Sequence, residues 1–162
     1  MKFETAPEFA SGLKTHPTVI THDQCDSAAS AIQKTRDFIT GNLTLPILIF
    51  LEKYDDDALV TPIRNLCSVA GIYFEACSDD DTLRVLSNEV GAKSNGVFIF
   101  PKVYGRGIDF KFQTDAKVLI LMNGDLKLTT ADVHQMAGRG TRSQGIPSAT
   151  IIMIGAKLKV SV

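Results

Sequence analysis

"LPILIFLE", residues 45–52, decides the architecture: an unbroken apolar run that ends on a single glutamate. A strand with one face in water alternates polar and apolar side chains. A run without alternation predicts a strand covered on both faces, as in a parallel sheet between helices. Downstream the pattern recurs. "DDDALVTPIRNLCSVAG" (55–71) reads as an acidic first turn, a helix with Pro62 in that turn, and a glycine stop. "IYFEAC" (72–77) reads as a second strand. In "SDDDTLRVLSNEVGA" (78–92), Ser78 caps a helix with Leu83, Leu86 and Val90 down one face. "GVFIF" (96–100) and "AKVLILM" (116–122) give a third and fourth strand. "TTADVHQMAG" (129–138) is a helix opened by a Thr-x-x-Asp cap, and "SATIIMIG" (148–155) is a fifth strand.

Upstream, "PTVITHD" (17–23) suits a short strand. Asp26 and Ser27 then cap a helix with Ala28, Ala31, Ile32, Thr35 and Ile39 on one face and a stop at Gly41. Strand and helix alternate throughout, which predicts an α/β class with a mostly parallel, doubly covered sheet of five to six strands. Residues 1–17 read as a lead-in segment and 18–162 as one domain.

The bulk properties fit that picture. The 162 residues are 44% hydrophobic and 22% charged, with a formal net charge of −1, so no strong field argues for bulk nucleic-acid or membrane-surface binding. Cys25, Cys67 and Cys77 lack metal-ligand spacing and read as reduced, buried thiols. The N-terminus has no apolar signal region, and no run approaches the ~18 residues of a membrane span. A soluble, cytoplasmic chain is expected.

Chemistry in such sheets belongs to loops at the carboxyl ends of strands. Three loops qualify: "KYDDD" (53–57), "PKVYGRGIDF" (101–110), and the turn holding Arg139 and Arg142. Several weaker signals dissolve on inspection. "VGAKSNG" (90–96) lies between a helix and a strand, and its Gly91 and Lys93 are not adjacent, so it is a helix-ending loop and no P-loop. "GRGIDF" lacks the third glycine and following helix of a dinucleotide site. Asp79, Asp80 and Asp81 read as charge compensation at a helix N-terminus. Asp55, Asp56 and Asp57 read the same way, with a larger share for function because they follow a strand. His16, His22 and His134 form no ligand cluster.

"QMAGRGTR" (135–142) fits Q-x-x-G-R-x-x-R and resembles the last signature motif of superfamily 2 helicases and SecA-type translocation ATPases. "YGRGIDF" (104–110) resembles the preceding motif, R-G-x-D in helicases and G-R-G-x-D in SecA-like motors. The two stand in the right order, with an apolar strand and a helix between them. "LPILIFLE" resembles the strand that opens the second motor domain. The resemblance spans roughly residues 45–155, with the GRGID form closer to SecA-like motors than to ordinary DEAD-box enzymes.

The resemblance implies a RecA-like three-layer αβα domain, the second of two that enclose ATP. Arg139 and Arg142 would be the catalytic arginines that meet the γ-phosphate when the cleft closes. Guanidinium suits this because it stays charged and meets phosphate oxygens bidentately. Gln135, Gly138, Gly105, Arg106, Gly107 and Asp109 would form the nucleotide-binding set. Gln135 would order the arginine loop, and Asp109 would contact the ribose or link nucleotide to substrate. Gly105 and Gly107 would let their loop approach closely. The resemblance implies ATP with Mg²⁺, the metal ligands coming from the first RecA-like domain. That domain, in cis or trans, would be one partner, and a polymer, nucleic acid or polypeptide, the other.

Two departures shape the expectation. Many family members place a backbone-contacting Thr five residues before the Arg of "RG", where this chain has Pro101. The chain also holds neither a P-loop nor a D-E-x-[D/H] box. Alone it is half a motor: an excised domain, or a natural half that works with a partner. The competing readings are a non-catalytic RecA-like docking module and a small-molecule enzyme of doubly wound type, for which no nucleophile or base is evident.

Overall fold

In a computed structural model, residues 19–52, 57–77, 95–101, 116–123, 127–138, 148–154 and 159–161 are described. The apolar run becomes β2 (Pro46–Leu51), buried at every position. Its neighbours are parallel on both sides, β4 (Gly96–Pro101) pairing Ile47 with Val97 and β5 (Lys117–Asn123) pairing Ile47 with Lys117. With β1 (Val19–Cys25), β3 (Phe74–Ala76) and β7 (Ser148–Ile154), they make a six-stranded sheet in the order β1-β7-β5-β2-β4-β3. Every pairing in it is parallel.

Alternation along the strands builds two cores. Leu48, Phe50, Phe98, Phe100, Ile120 and Ile151 pack on one face. Ile47, Ile49, Val97, Ile99, Leu119 and Ile152 pack on the other. The second face is covered by α1 (Ala28–Thr40) and α2 (Asp57–Ala70), through Ala31, Ile39, Ile63 and Cys67. The first is covered by α3 (Thr130–Gly138), through Val133, Met136 and Ala137. Crossovers that run toward β3 carry helices on one face, and the return toward β7 carries its helix on the other, as right-handed connections require.

Helix ends follow local chemistry. The Ser27 side chain accepts the Ser30 N–H at 3.2 Å, which satisfies one of the unpaired first-turn amides of α1. Thr35, buried in that helix, donates its hydroxyl to the Ala31 carbonyl at 2.8 Å.

One expectation needs correcting, and two details go beyond the sequence pattern. Pro62 lies in the second turn of α2, not the first, because the helix already begins at Asp57. Gly41 does end α1, but at φ −79°, which needs no glycine. There the Asn42 side chain donates to the Phe38 carbonyl at 2.8 Å and closes the helix end. Finally, a small parallel pair, β6 (Lys127–Thr129) with β8 (Lys159–Ser161), had no counterpart in the sequence pattern. The helix expected over 78–92 lies outside the described residues.

Candidate functional site

The strand order locates the crevice where a ligand can enter. The chain leaves β2 toward β3 and leaves β5 toward β7, so adjacent β2 and β5 send their connections to opposite sides. Their carboxyl ends, Leu51–Glu52 and Asn123, therefore border a topological switch point, the usual ligand position in open parallel sheets. Pro101 stands next to it. It is buried, ends β4 and pairs in register with Leu51, so β4 ends beside the crevice. A missing N–H is tolerated there because the strand stops.

α3 carries the front half of the arginine motif and sorts it by burial. Met136 is 1% exposed, and Val133 and Ala137 are fully buried against the sheet. Gln135 and Gly138 are exposed. A spacing of three brings these two to one helix face. A Cβ on Gly138 would meet nothing within 4 Å, so this face is open at the point where the chain continues to Arg139. The segment of Arg139 and Arg142 follows a helix and not a strand, contrary to the sequence expectation. It leads from the end of α3 to the amino end of β7.

Arg139, Arg142, Gly105, Arg106, Gly107 and Asp109 lie outside the described residues, as do 53–56 of the acidic loop. Among the described residues no group of three His, Cys, Asp or Glu side chains could hold a metal ion. The three cysteines are free thiols and buried, and burial pushes the Cys67 thiol up to about 11. No described helix is long and apolar enough to cross a membrane. A cleft of about 220 Å³ between Ile39, Leu43, Tyr73 and Gly96 opens at the amino ends of β2 and β4. It is therefore at the pole opposite the crevice, the pole at which the chain enters β7 after α3.

The architecture has solved counterparts. Domain 2 of the DEAD-box helicase Mss116p, bound to an RNA duplex, superimposes with a TM-score of 0.51 at 13% identity, over 90% of this chain and 64% of that one. The fold is RecA-like. A chain of the complex of the E. coli DEAD-box protein SrmB with regulator of ribonuclease activity A matches this RecA-like domain at TM-score 0.50 and 16% identity. It covers 87% of this chain and 88% of that one. The C-terminal part of the Fun30 ATPase domain matches at TM-score 0.51 and 17% identity, over 78% and 40%. The domain thus spans less than two thirds of the Mss116p and Fun30 chains. None of the three is a SecA motor. No protein-family model and no curated protein matches the sequence.

Proposed function

We propose that this chain is the second motor domain of a superfamily 2-type ATPase, closing on ATP held by a first RecA-like domain. One observation carries most of the weight: α3 buries the two variable positions of Q-x-x-G and exposes Gln135 and Gly138.

In this reading α3 is a rigid mount. Its buried stripe fixes the helix on the sheet, and Arg139 follows its last residue in the chain. Arg139 and Arg142 reach the γ-phosphate when the domains close, and stabilise charge on the transferring phosphoryl group. Gly105, Arg106, Gly107 and Asp109, on the loop leaving Pro101, contact the nucleotide from the crevice side. ATP arrives with Mg²⁺, whose ligands belong to the first domain. The polymer moved is a nucleic acid, a choice supported by helicase counterparts of the fold, one of them bound to RNA. Pro101 offers no hydroxyl to a phosphate, so the strand is gripped elsewhere.

The test begins with the mass of the native polypeptide carrying this sequence, which shows whether the first domain is in cis or in trans. ATP turnover is then measured with both domains present. Arg139→Ala and Arg142→Ala are each expected to lower kcat by about 10³-fold or more, and the isolated chain to hydrolyse nothing measurable. Near wild-type turnover in both variants overturns the proposal.

A further inference from the structure

The sheet ends at β3, which pairs with β4 on one side and with no described residue on the other. Hydrogen bonding fixes which groups face outward. The Val97 N–H donates to the Tyr73 carbonyl, and the Cys77 N–H donates to the Ile99 carbonyl, both at 2.8 Å. Alternate residues Tyr73, Glu75 and Cys77 therefore turn their backbone toward β4. The amides and carbonyls of Phe74 and Ala76 point away from the sheet.

A groove of about 420 Å³ runs beside this edge, lined by Arg64, Ser68, Ile72, Phe74, Glu75 and Ala76. Ile72, Phe74 and Ala76 give it apolar lining, and Arg64 and Glu75 give it charge of both signs. The Arg64 guanidinium stands over the Phe74 ring, 5.4 Å from the centroid, so a cation–π contact holds it at the lip. That contact uses the flat face of the guanidinium and leaves its N–H donors directed sideways.

We propose that this edge binds an extended segment of another protein by strand addition, with an acidic side chain of that segment on Arg64. Backbone pairing to Phe74 and Ala76 supplies affinity, and the alternating side chains supply selectivity. On the face of Phe74 and Ala76 the segment meets Arg64 and therefore carries Asp or Glu. On the face of Glu75 it carries Lys or Arg. Neighbouring residues of a strand point to opposite faces, so the acid and the base are adjacent in the partner's sequence. A second copy of this chain fits poorly. The two-fold register that uses all four outward groups sets Glu75 directly opposite its own copy, and like charges so placed repel. The inference does not depend on the proposed motor activity, because β3 lies at the sheet edge remote from α3.

A displayed library of short random peptides, selected on the full chain, is the probe. Enriched sequences are expected to carry an adjacent acid–base pair among β-branched residues. A synthetic winner should shift the amide resonances of Phe74 and Ala76. Arg64→Glu, at an exposed position, should weaken that peptide by about ten-fold or more. Ala76→Pro removes an outward N–H without touching the β3–β4 ladder, and should do the same. Failure to select any binder overturns the proposal, as does binding that maps elsewhere or survives Arg64→Glu in a folded protein. A concentration-dependent dimer that protects the Phe74 amide assigns the edge to a second copy and overturns it too. So does protection of that amide that disappears when residues 1–18 are deleted.

Discussion

Tyr73 closes over the glycine that opens β4: a Cβ built on Gly96 falls 3.3 Å from Cδ1 of Tyr73 and 3.3 Å from Cε2 of Phe98. The two rings are themselves in contact, 5.7 Å between centroids, so neither can retreat without disturbing the other. Gly96 also sits at φ +125°, where a side chain is strained whatever the space. Gly96→Ala is expected to cost about 1–3 kcal/mol, read as a lowered urea midpoint with unchanged m.

Gly71 provides the contrast. It holds φ +71° with nothing within 4 Å of a built Cβ, so only the backbone term acts. Gly71→Ala should cost about 1–2 kcal/mol, while Gly71→Asn, which tolerates the left-handed region, should stay closer to the parent. The same urea series orders all three variants.

Ser27→Ala removes the acceptor for the Ser30 amide and should lower stability by about 1 kcal/mol, with Ser27→Gly losing only a few tenths. Thermal unfolding followed by circular dichroism separates the two.

The two faces of α3 should respond differently. Met136→Ala opens a cavity under a side chain that is 1% exposed, and is expected to destabilise by about 2–5 kcal/mol. Gln135→Ala lies on the exposed face and should cost under about 1 kcal/mol. In a protein with both motor domains, Gln135→Ala should nonetheless slow ATP turnover. Equal stability loss from both substitutions counts against an outward-turned motif.

Cys67 makes stability fall in alkali. Its thiol is pushed from 9.0 up to about 11 by burial, so the folded chain holds a proton that the unfolded chain gives up. The contribution is fully present below pH 9 and is lost as pH rises from there toward 11. Denaturant midpoints measured across that window should decline, and Cys67→Ala or Cys67→Val should flatten the decline.

The strands were legible because their burial is two-sided. A run as short as residues 46–51, opened by Pro46 and rich in Ile and Phe, suits a buried strand better than a helix, and its neighbours at 96–101 and 117–123 share that character. Helix boundaries were less legible, since Gly41 and Gly71 look alike as letters. Only Gly71 takes the left-handed turn, because at Gly41 the Asn42 amide does the capping. Pro62 misled in the same way: α2 accepts it one turn later than its preferred position. The β6–β8 pair was invisible because three-residue polar strands carry no hydrophobic period. For the site, the motif spacing named Gln135 and Gly138, and both are exposed on α3. The arginines and the GRGID loop lie outside the described residues, so their placement rests on the sequence.

Val19 pairs with Ser148, and the register continues to Cys25 beside Ile154. The first strand of the sheet thus finds its partner only after β2, β3, β4 and β5 have passed in sequence. During synthesis β1 leaves the ribosome early and waits, its ladder incomplete, until β7 emerges. Closing so long a loop is slow, and the waiting edge is open to wrong partners meanwhile. A nascent chain halted before residue 148 should therefore keep β1 accessible to proteases, however well β2, β4 and β5 have already assembled.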